Sequence, residues 1–140
     1  MNNDLARRCN LIEECYEYLL AYAAMGVAGD EGEGKAGQVR HFLDRASGAL
    51  DGIADAYAAA TENQPAEQSQ AFGAVLGRDA RDSHAAINLV LAQPVISSQL
   101  VDNLNASIHL RALLTDLFLI DEVLKLQASP QVALDSATGS

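Results

Sequence analysis

The stretch Ser98 to Leu126, SQLVDNLNASIHLRALLTDLFLIDEVLKL, constrains the fold more than any other part of the chain. It contains no glycine or proline, and its apolar residues recur at helical spacing. That predicts one long helix of about seven to eight turns. Its second half is apolar nearly all round: Leu110, Leu113, Leu114, Leu117, Phe118, Leu119, Ile120, Val123 and Leu124 cannot share one face. Such a helix needs cover on several sides, from its own chain or from a second copy. Arg111 falls on the stripe of Leu104, Ile108 and Phe118, while Asp102, Asn105, His109 and Asp116 form an outer stripe.

Length and charge bound the rest. A chain of 140 residues suits one domain, here 1–127, with a mobile tail over 128–140. Hydrophobic residues make up 49%, as in globular proteins, and the formal net charge is −10. A surface this acidic repels phosphate backbones and anionic headgroups, so neither nucleic acid nor a membrane is expected as a partner. Cys9 and Cys15 lie on one predicted helix, about 9 Å apart along its axis, too far for a disulfide. Free thiols point to a reducing compartment. The segment MNNDLARRCNLIEE has no apolar signal region, so the cytoplasm is expected.

The remaining helices follow from seams of apolar residues. The first runs over about 4–25, with Leu5, Cys9, Ile12, Tyr16, Leu19 and Ala23 inward and Cys15, Tyr18 and Tyr22 beside them. The glycine-rich, acidic segment 26–37 reads as a flexible connection. A second helix over about 38–60 has the seam Val39, Leu43, Ala46, Leu50, Ile53 and Tyr57, weakened by Gly48 and Gly52. Pro65 suits the start of a third helix over about 66–92, which buries Phe72, Leu76, Ala80, Ile87 and Val90. Gln93-Pro94 ends it, and Ser97 or Ser98 caps the fourth helix, 98–127. The fold class expected is all-α: an antiparallel four-helix bundle, dimeric through the surplus girth of its fourth helix.

In such a bundle the third and fourth helices form a hairpin turning near Val95. Equal spacing from that turn pairs Asp79 with Arg111, with Ser83 and Ser107 one turn nearer the loop. A similar argument places Arg8 near Glu122. Both read as structural polar pairs that fix helix register in a leucine- and alanine-rich core.

Other groups bear on chemistry. LIEECYEYL at 11–19 followed by HFLD at 41–44 resembles the EExxE and ExxD pattern of the all-α nucleoside triphosphate pyrophosphohydrolases, the MazG-like family. The resemblance implies Mg²⁺ held on triphosphate oxygens by Glu13, Glu14, Glu17 and Asp44, with His41 standing where the family has Glu. Arg78 and His84 resemble the R-x₄₋₆-H signature of the HEPN ribonucleases, and HFLDRASG resembles the phosphotransfer helix of histidine phosphotransfer domains. No Glu-x-x-His occurs for a diiron or zinc bundle, and no glycine-rich loop joins a strand to a helix.

These readings favour a small, acidic, cytoplasmic bundle that needs no cofactor and acts by protein–protein contact. Its partners are itself, as a homodimer, and an unidentified protein, in the manner of an adaptor, regulator or export-chaperone-like module. The competing reading is the Mg²⁺-dependent pyrophosphohydrolase.

Overall fold

Every apolar seam seen in the sequence becomes a helix, but two of the predicted rods are broken. The computed structural model describes residues 3–26 and 33–128. Its six α-helices are α1 (Asn3–Ala24), α2 (Glu33–Leu50), α3 (Ile53–Ala60), α4 (Ala66–Leu91), α5 (Ser98–Ala106) and α6 (Ile108–Ala128). No strand occurs among the described residues. α2 begins at Glu33, so the last part of the segment read as a flexible connection is helical. The expectations for residues 27–32, and for the tail beyond 128, lie outside the described residues.

The predicted second helix breaks at Asp51-Gly52. Gly52 takes φ 89°, a left-handed conformation open to glycine without penalty, and becomes the N-cap of α3. The seam nevertheless survives the break, since Val39, Leu43, Ala46, Leu50, Ile53 and Tyr57 are all buried.

The predicted fourth helix breaks at Ser107. Its backbone is extended, at φ −64° and ψ 143°, and it ends α5. Its hydroxyl accepts from the Leu110 amide at 3.3 Å, so the same residue caps α6. One extended residue resets the helical phase. An angular count carried unbroken through 98–127 is therefore wrong beyond that point. The outer stripe predicted across the break splits: Asp102 and His109 are exposed, Asp116 beyond the break is buried, and Asn105 before it is buried as well.

α1 packs along α2 and against α3 and α5, and α4 packs on α2, α3, α5 and α6. All six helices feed one continuous apolar core. The α1 seam is rotated slightly from expectation: Cys15 and Tyr22 are buried, whereas Tyr16 and Ala23 are half-buried. Tyr22 Oη donates to the Ile96 carbonyl at 2.6 Å, and Ser98 Oγ donates to the Tyr22 carbonyl at 2.8 Å. These buried bonds fasten the end of α1 to the start of α5. Cys9 and Cys15 are free and buried, and burial pushes their thiols up to about 11 and about 12. Neither is a ready nucleophile.

Candidate functional site

The carboxylates singled out for magnesium do not converge. Glu14, Glu17, His41 and Asp44 are exposed and Glu13 is half-buried, and no three acid, His or Cys side chains are grouped to hold a metal among the described residues. Glu13 faces α6 instead. Its pKa is raised by burial and by the charges of Asp121 and Glu17, and Lys125 offsets part of this.

The register pairs are corrected too. Arg111 is exposed, and no ion pair joins it to Asp79. Asp79 is half-buried and acts on Asp116, the buried carboxyl that the phase reset at Ser107 turns inward. Burial first, and then Asp79, push Asp116 up to about 7. A second ionised carboxyl beside it in a poorly hydrated site is disfavoured by repulsion. Asp116 Oδ2 is buried without a hydrogen-bond partner, as are the amide nitrogen and oxygen of Asn105. Ser83, expected beside Ser107, instead donates to the His109 carbonyl at 2.9 Å, while the Ser107 hydroxyl accepts from the Leu110 amide.

Arg8 does not reach Glu122, which is exposed and lies 3.9 Å from Lys125. Its guanidinium bridges Asp4 at 3.2 Å and donates to the Ala49 carbonyl at 3.0 Å and to the Asp51 carbonyl. Arg40, which no sequence pattern singled out, does the same at the end of α4: it donates to Leu91 at 3.1 Å and Gln93 at 2.7 Å. Both arginines supply donors where a helix C-terminus leaves carbonyls unpaired and carries partial negative charge. They are structural caps.

A third polar group joins α2 to α4. His84 Nε2 lies 2.8 Å from Ser47 Oγ, which donates to Asn88 Oδ1 at 3.1 Å. This network links α2 to α4. Arg78, the other half of the R-x₅-H string, is exposed.

The least orthodox surface is the outside of α6. Its inner face is Leu110, Leu113, Leu114, Leu117, Ile120 and Leu124, all buried. Its outer side still exposes Ile108 (75%), Phe118 (55%), Leu119 (53%), Val123 (45%) and Leu126 (55%). The run from Ile108 to Leu126 is about 27 Å long, with exposed Thr115 and Glu122 set among the apolar side chains. Beside it, Tyr57, Pro65, Phe72, Leu119 and Val123 line an apolar groove of about 280 Å³.

Comparison with protein-family models, curated proteins and solved structures finds no match. The geometry alone must carry the functional argument. It offers apolar area, a groove and few charges, which suits recognition of another apolar helix and supplies no nucleophile, base or metal cradle at that place.

Proposed function

We propose that the chain is a helical protein-contact module in the class of adaptors, regulators and export-chaperone-like proteins, and that its working surface is the outer face of α6. In this reading α2 with α3, and α5 with α6, act as two bent rods that complete a four-rod antiparallel bundle, and the bundle is dimeric. One observation carries it: five large apolar side chains of a single helix stand open beside an apolar groove. The hydrophobic effect favours covering such a face by roughly 25 cal/mol per Å², and a partner protein is the means of doing so. The −10 charge supports a protein partner over nucleic acid, and two buried free thiols suit the cytoplasm.

A photo-crosslinking residue placed at Leu119 in the native cell tests this, with one placed at Leu89 as a control. Leu89 is 67% exposed but lies on α4. A discrete protein adduct from position 119, absent from position 89, is expected. Equal labelling or none at both positions would overturn the reading.

A further inference from the structure

The outer face of α6 has a pattern that specifies what covers it. Ile108, Ala112, Thr115, Leu119, Glu122 and Leu126 advance by alternating steps of four and three residues, the spacing of a two-helix seam. The pattern is symmetric about the level of Leu117. Laid against a second copy running the opposite way, Ile108 meets the partner's Leu126, Thr115 meets the partner's Leu119, and Ala112 meets the partner's Glu122. A large side chain falls opposite a smaller one in the two inner layers, as interdigitated packing requires.

The charges choose the direction. In the N-terminal half, Arg111 is exposed and belongs to no ion pair among the described residues. The C-terminal half carries Asp121, Glu122 and Lys125, a net charge of −1. There Lys125 bridges Asp121 at 2.8 Å and stands 3.9 Å from Glu122, so the acidic pair has only one cation. Antiparallel pairing brings Arg111 within about 1.5 Å of the axial level of the partner's Glu122. Parallel pairing would set Arg111 against the partner's Arg111 and Glu122 against the partner's Glu122. Phe118 lies on the same flank as Arg111, close to the symmetry level, where its half-open ring would meet the partner's Phe118.

From this we infer that the face is covered by a second copy of the chain, packed antiparallel along α6 about a two-fold axis at the level of Leu117, with Arg111 of each copy paired to the partner's Glu122. The inference rests on the outer face being a contact surface, and adds the occupant and its direction.

Analytical ultracentrifugation of the full chain and three variants tests it. The parent should sediment at twice 14.8 kDa at micromolar concentration. Arg111→Glu and Glu122→Arg should each weaken dimerisation by about tenfold, and the double variant should return to within about threefold of the parent. Both positions are exposed, so circular dichroism should show the monomer fold unchanged in every variant. A parent that stays at 14.8 kDa overturns the inference, as does a dimer in which the two reversals do not compensate. A monomer that still crosslinks through position 119 to a different protein would overturn this inference and the dimeric part of the proposed reading, and leave the outer face of α6 as a contact surface for another protein.

Discussion

α6 departs from an ordinary surface helix on both of its faces. Toward the core it buries leucines but also Asp116, whose carboxyl feels the charge of Asp79 on α4. Toward solvent it presents Phe118, Leu119, Val123 and Leu126. α1 shows the ordinary arrangement: Leu5, Ile12 and Leu19 lie inside, while Asp4, Arg7, Glu14 and Glu17 lie outside. The inner carboxyl of α6 weakens folding at neutral pH, and Leu119 and Leu126 leave about half of their surface uncovered in a single chain.

The inner leucines should dominate that stability. Leu117 is fully buried, so Leu117→Ala should lower unfolding free energy by about 2–5 kcal/mol in urea titrations followed by circular dichroism. A loss under about 1 kcal/mol would mean that the inner face is not the packed face.

Next comes the acid pair. Asp116 has a folded pKa above its unfolded value, so the folded state binds the extra proton. Its contribution is intact below about pH 4 and is lost as pH rises toward about 7. The loss is on the order of a few kcal/mol. Asp116→Asn removes the charge at nearly the same size. Subtracting the variant's stability-against-pH curve from the parent's should isolate this fall, and a flat difference between pH 4 and 7 would sever the pair. Asp4 titrates in the opposite sense, its pKa lowered by Arg7 and Arg8, so the difference curve is the quantity to measure.

Ser107→Ala removes the cap that sets the phase of α6 and should cost about 1 kcal/mol, measured in the same titrations. No loss would show that the break stands without the cap. The smallest effect on folding belongs to the outer face: Leu119→Ala should change the unfolding free energy of the monomer by under about 0.5 kcal/mol.

How much of this was legible depends on what broke the helices. Gly48 and Gly52 marked weakness in the second rod, and Gly52 is where it breaks. Its seam read correctly because Ile53 and Tyr57 still follow Leu50 inward. Ser107 gave almost no signal. It is a serine in a stretch without glycine or proline, with Leu110 in place of the acid that would have completed a capping box. Reading through it carried Arg111 inward and Asp116 outward, and both moved the other way. The surplus girth of α6 was legible because it depends on composition, not phase. Arg8 and Arg40 were not, since a guanidinium reaching carbonyls more than forty residues away leaves no local pattern. The four acids and His41 kept their sequence spacing, but α1 and α2 present them to solvent or, at Glu13, to Asp121.

The most direct test of the central claim is the solution mass of the full chain beside that of Leu119→Asp, by light scattering under identical conditions. The account predicts twice 14.8 kDa for the parent and 14.8 kDa for the variant, with matching far-ultraviolet circular dichroism. The same mass for both proteins, whichever it is, would contradict it.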